Sequence, residues 1–118
     1  MICTLRIALV LLLASCGVTV LGPEDSGDCD RDVEETLDAR WVEPYVRVTH
    51  HRYQINCCKH VSHIDARVDG DVIELSYRKK GHICDCICYR EIIYQLKGVR
   101  AGTWTLDAEG TTTVVEVD

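Results

Sequence analysis

The chain has 118 residues, 8 cysteines, 5 histidines and a formal net charge of −6. That length holds one domain of ordinary size, and an acidic chain without a basic stripe excludes nucleic acid as a partner.

Residues 7–14 form an apolar run behind Arg6, too short to span a bilayer and placed where an export signal belongs. The run ends in LASC, where an aliphatic residue and two small residues precede Cys16. This is the pattern of a bacterial lipobox, whose cysteine thiol takes the diacylglycerol and becomes the first residue of the mature chain. Residues 1–15 are accordingly expected to be a lipoprotein signal peptide. Cys16 is the lipid anchor, its palmitate-like acyl chains holding the protein on a membrane without a spanning helix. The expected location is the bacterial cell envelope, or else a secreted or periplasmic form; both are oxidising compartments in which disulfides persist.

Residues 17–43 carry nine acids against Arg31 and Arg40, whereas in residues 44–118 ten acids meet ten bases. Residues 16–40 therefore read as an acidic, solvated tether, and residues 41–118 as the folded, cysteine-rich domain.

From Trp41 onward the chain alternates in the manner of short strands. VEPYVRVTH is rich in β-branched and aromatic residues, with Pro44 near its start. HIDARVDGDVIELSY is expected to be a hairpin with Asp69 and Gly70 at the centre of its turn. That register sets Ala66 opposite Ile73 and Ile64 opposite Leu75, with an apolar face backed by Asp65, Arg67, Glu74 and Arg78. A second turn at Lys80-Gly81 would lay Cys84, Cys86 and Cys88 on the same apolar face of the next strand. EIIYQL, TWTLD and TTTVVEVD complete about seven strands, with turn signals at the spacing of an antiparallel β-sandwich and no helical period. LKGVRAGTWTL is similar to the corner between the fifth and sixth strands of immunoglobulin and fibronectin III domains, with Trp104 in place of the tyrosine whose hydroxyl makes the usual hydrogen bond.

Removal of the leader and lipidation of Cys16 leave Cys29, Cys57, Cys58, Cys84, Cys86 and Cys88, an even number with fifteen possible pairings. Cysteines two apart on one strand sit at or beyond the reach of an unstrained bridge, so Cys84, Cys86 and Cys88 need partners elsewhere, and Cys57, Cys58 and Cys29 are available. Adjacent Cys57 and Cys58 face opposite ways on a regular strand, so bridging both requires a bulge or a strand end there. Structural disulfides are the expected role. The alternative is a Zn or Cu site drawing on Cys57, Cys58, Cys84, Cys86 and Cys88 with His50 or His51, since soft sulfur with imidazole suits both metals. No nucleophile and base pair, phosphate loop or zinc-protease motif marks an enzyme, and no cofactor is expected unless the metal reading holds.

HHRYQINCC, the DGDVIEL hairpin and CDCICYREIIYQLKGVRAGTWTL together resemble a group of small bacterial secreted proteins and lipoproteins of uncharacterised function. Their common pattern is a His, a short gap, Asn-Cys-Cys, a hairpin, Cys-x-Cys-x-Cys and a closing Gly-x-aromatic strand. The resemblance covers residues 50–106 and marks His50 or His51, Asn56, the five cysteines and Gly102, with Arg90 standing where that group often has an acid. It implies a sandwich built around a cysteine unit and leaves function open; export and the bridged cysteines make an envelope binding or structural module the expected role. The expected contacts are a membrane through the lipid and an unspecified protein or small molecule.

Overall fold

The computed structural model describes residues 17–25 and 34–118. Among these residues eight strands run β1 (Thr19–Asp25), β2 (Thr36–Val42), β3 (Tyr45–Asn56), β4 (Lys59–Asp69), β5 (Val72–Gly81), β6 (Ile87–Lys97), β7 (Gly102–Ala108) and β8 (Thr111–Val117). They form two four-stranded sheets in the orders β1-β6-β3-β2 and β4-β5-β7-β8. The fold is the expected all-β sandwich, with one departure from antiparallel pairing: β5 and β7 run parallel, Val72 opposite Thr105.

Period-two alternation builds the core. On β6 the inward residues Cys88, Arg90, Ile92, Tyr94 and Leu96 are all buried, and they face Ile73, Leu75 and Tyr77 of β5 and Trp104 and Leu106 of β7. On β3 the alternation is broken by a bulge between His50 and Tyr53, where Arg52 adopts a positive φ of 57°. One extra residue flips the phase of a strand. Val46, Val48 and His50 point inward before the bulge, and Tyr53 and Ile55 point inward after it. A second bulge, between Val61 and His63, does the same on β4 and buries both Val61 and Ile64.

Several expectations change. Asp69 pairs with Val72, so the central residues of the turn are Gly70 and Asp71. The positive φ of 62° at Gly70, with no such value at Asp71, is the II′ pattern. The register slips by two against expectation, and because two is the period, the apolar face keeps its members. No turn forms at Lys80-Gly81: β5 continues through both, with Gly81 opposite Lys59, and the chain then crosses to the other sheet. Cys84 and Cys86 consequently lie in the crossover loop and only Cys88 lies on a strand. The tether expectation also needs correction, because β1 pairs with β6 and β2 pairs with β3 inside the stretch 16–40. Acidic composition did not prevent pairing there, since Leu37, Ala39 and Trp41 point toward the core while Asp38 and Arg40 face solvent. Trp104 takes over the corner bond, its indole Nε1 donating to the Arg100 carbonyl at 2.8 Å.

Candidate functional site

The cysteines gather at one end of the sandwich. β3 stops at Asn56, Cys57 and Cys58 form the turn, and β4 starts at Lys59, so the adjacent cysteines sit at a strand end as their bridging requires. Cys57 is bonded to Cys86 and Cys58 to Cys84, with Cα atoms 5.3 and 5.8 Å apart. Cys88, on β6, is disulfide-bonded as well. Cys16 and Cys29 also lie outside the described residues.

Asn56 joins the two cysteine segments. Its Oδ1 accepts from the amides of Cys58 at 3.0 Å and Cys84 at 3.1 Å, and its Nδ2 donates to the Cys84 carbonyl at 2.6 Å. The Cys57 amide donates to the Cys86 carbonyl at 3.1 Å. Gly81 is needed for this approach: its φ is 117°, and a Cβ there would overlap the Cys58 carbonyl oxygen.

Beneath the staples lies a buried ion pair. Arg90 Nη1 donates to Asp25 Oδ2 at 3.1 Å and Nη2 donates to the Cys57 carbonyl at 2.8 Å; both charged side chains are 9% exposed. Asp25 Oδ2 also accepts from the Val61 amide at 3.2 Å. The pair therefore connects β1 and β6 of one sheet to β4 of the other. At the same end Ile83 is 78% and Ile87 51% exposed, in a mixed surface with Asp85 and with Arg52 stacked 4.0 Å over the Tyr89 ring.

The histidines proposed as metal ligands go elsewhere. Among the described residues, the group of potential ligand atoms within 4.8 Å of one another is Cys57, Cys86 and Cys88, and neither His50 nor His51 belongs to it. His51 pairs with Glu91 at 3.1 Å. His50 is fully buried in the core, its Nδ1 2.8 Å from the Tyr77 hydroxyl and its Nε2 2.9 Å from Glu35 Oε2. With the Cys57–Cys86 bridge closed, those two sulfurs are not thiolates, and thiolate is the form that ligates Zn or Cu.

Sequence reasoning missed the polar network around His50. The Tyr94 hydroxyl lies 2.9 Å from that of Tyr77, and Glu109 accepts from the Tyr53 hydroxyl and the Tyr77 amide, each at 3.2 Å. Tyr53, Tyr77 and Tyr94 are held far above the usual phenol range, in each case chiefly by burial. They remain protonated donors. A consistent chain runs from Tyr94 through Tyr77 to Nδ1 of a neutral His50, whose Nε2–H donates to Glu35. His50 and Tyr94, at 0% and 2% exposure, form the closed centre of this network, which ties β3 and β6 of one sheet to β5 of the other, and Glu35, with its side chain 40% exposed, forms its outer end.

Burial lowers the His50 pKa below its ordinary 6.5, and the Glu35 hydrogen bond and charge oppose the shift without cancelling it. Above pH 6.5 both folded and unfolded chains hold this ring neutral, and it adds no pH dependence. Below pH 6.5 the unfolded chain takes a proton that the folded chain refuses. The contribution to stability then falls at up to about 1.4 kcal/mol per pH unit until the folded pKa is reached. His50→Gln is expected to flatten the decline of the urea midpoint just below pH 6.5; equal slopes in both proteins would show that another group titrates.

A comparison of the chain with family models, with curated proteins and with solved structures finds no match in any of the three.

Proposed function

We propose that the chain is an exported bacterial lipoprotein, anchored through Cys16, whose disulfide-stapled sandwich serves as a binding or structural module of the cell envelope and not as an enzyme. The observation that carries this reading is the bridging of Cys57, Cys58, Cys84, Cys86 and Cys88, a state that belongs to oxidising compartments. The LASC motif and the resemblance to small secreted proteins and lipoproteins support it from the sequence.

Under this reading the lipidated residue joins the sandwich through Gly17 and Val18 alone, because β1 begins at Thr19. Thr19 pairs with Lys97 at the end of β6, and the cysteines cluster around Ile87 at its start. Ten residue steps at about 3.3 Å place the stapled end roughly 33 Å from the anchored end. Ile83 and Ile87, exposed together with Asp85, then lie at the end away from the membrane.

A Zn or Cu site is the second reading, favoured by the convergence of the Cys57, Cys86 and Cys88 sulfurs within 4.8 Å. It requires free thiols. Intact mass of the mature protein after alkylation, with and without prior reduction, separates the readings. No alkylation without reduction, six additions after it and a diacylglycerol mass are expected, and several free thiols would favour the metal site. Cys16→Ala is expected to move the protein from the membrane to the soluble fraction; unchanged membrane association would overturn the anchor.

A further inference from the structure

Among the described residues other than glycine, Glu109 and Arg52 hold a positive φ, of 53° and 57°. Glycine or asparagine occupies that region at less cost, so a long side chain there calls for a compensating use. Glu109 has one, accepting from the Tyr53 hydroxyl and the Tyr77 amide. The Arg52 guanidinium makes no hydrogen bond or ion pair among the described residues. Its Nε is buried without a partner, and its central carbon lies 4.0 Å from the centroid of the Tyr89 ring, so packing and not solvation holds it in place. Glu91, opposite the bulge, is paired with His51 at 3.1 Å. The cation borders an open concavity of about 480 Å³ lined by Arg52, Asp85, Cys86, Ile87 and Tyr89, a volume within the range of small-molecule sites. Its walls are fixed: Arg52 and Tyr89 belong to the paired strands β3 and β6, and the loop that carries Asp85 is bonded through Cys84 and Cys86 to the turn after β3. A site already in place loses little freedom when a ligand arrives.

We propose that this concavity binds a monocarboxylate with an apolar or aromatic body, the carboxylate on the Arg52 guanidinium and the body against Ile87 and Tyr89. A guanidinium presents paired N–H donors at the spacing of two carboxylate oxygens. Ile87, 51% exposed, supplies apolar contact beside them. Asp85, exposed in the same concavity, repels a dianion about twice as strongly as a monoanion, which selects carboxylate over phosphate. A free acid and the C-terminus of a peptide ending in an apolar residue both present this group. The inference gives a ligand class to the binding module proposed above and in that respect rests on that reading; it does not depend on the Cys16 anchor. Absence of binding would overturn this assignment alone, because alkylation and fractionation decide the broader reading.

The test titrates the native oxidised protein with phenylacetate and follows the NMR signals of Arg52 and Tyr89. Saturable shifts at both are expected. Phenylacetamide, which keeps the ring and lacks the charge, should bind at least about tenfold more weakly, the margin of a charge-assisted hydrogen bond. Phenyl phosphate, mostly a dianion at about pH 7.5, should also bind more weakly than phenylacetate, and Asp85→Asn should narrow that difference. Acetyl-alanyl-leucine distinguishes the sources: tighter binding than phenylacetate would identify a peptide C-terminus, and weaker binding a free small acid. Arg52→Asn places a residue that tolerates the left-handed region, so its urea midpoint is expected to equal the parent's while the shifts at Tyr89 disappear. Equal binding of acid and amide, or retained binding in folded Arg52→Asn, would overturn the assignment. A lowered midpoint would do the same, by showing that the side chain is kept for stability. If the variant does not fold, the comparison of acid with amide on the native chain decides.

Discussion

Asp25→Ala is expected to destabilise the domain by about 3–5 kcal/mol, the cost typical of leaving one member of a buried ion pair without its partner. The carboxylate accepts from Arg90 and from the Val61 amide. Its loss strands the guanidinium of a side chain that is 9% exposed and already has an unpartnered Nε, and it also frees a backbone donor. The penalty is one of desolvation and not of lost attraction, which sets the order of a series. Asp25→Ala combined with Arg90→Met should be less damaging than Asp25→Ala alone, because the second substitution removes the stranded charge and keeps most of the volume. Urea midpoints of the two variants measure this. A loss below about 1 kcal/mol for Asp25→Ala would place the pair with solvated surface bridges.

The two located disulfides are expected to be strongly non-additive. Cys57–Cys86 spans 29 residues and Cys58–Cys84 spans 26, one nested inside the other. Loop entropy assigns either closure alone about 3.5 kcal/mol. Once one is closed, the second cysteine pair is held within a residue or two of its partner, and closing it removes little further freedom from the unfolded chain. Replacing Cys58 and Cys84 together by Ser, or Cys57 and Cys86 together, should therefore cost only about 1.5–2 kcal/mol in chain entropy. Replacing all four should cost about 5 kcal/mol, more than the sum of the two separate losses. Paired replacement matters, because a single substitution leaves a thiol free to exchange. Denaturant unfolding of the three variants gives the comparison; additive losses would mean that each bridge acts by local packing in the native state instead.

Much of the sandwich was legible in local pattern. Alternation named Ile73, Leu75 and Tyr77 as the inward face of β5 and marked EIIYQL as a strand without assigning its faces. The adjacency of Cys57 and Cys58 required a strand end or bulge, and a turn stands there. The buried fate of His50 was hidden, because VTHHRY reads as a continuous strand only until the bulge at Arg52 turns both His50 and Tyr53 inward. Asp25 was hidden for another reason. In an acidic stretch it looks like a solvated charge, and only the pairing of β1 with β6 brings it to Arg90.

By itself the sequence determined that the chain forms strands, which residues of the β4–β5 hairpin face inward, and that the cysteines need partners outside their own segment. These follow from a period of two and from the short reach of a disulfide, both of which depend on near neighbours. The tertiary structure alone decided that the chain crosses sheets after Gly81, that β5 and β7 run parallel, and that Cys57 takes Cys86 while Cys58 takes Cys84. Backbone hydrogen bonds are alike for every strand and thiols are alike for every cysteine. The choice among partners therefore falls to the joint burial of distant side chains, which no local window contains.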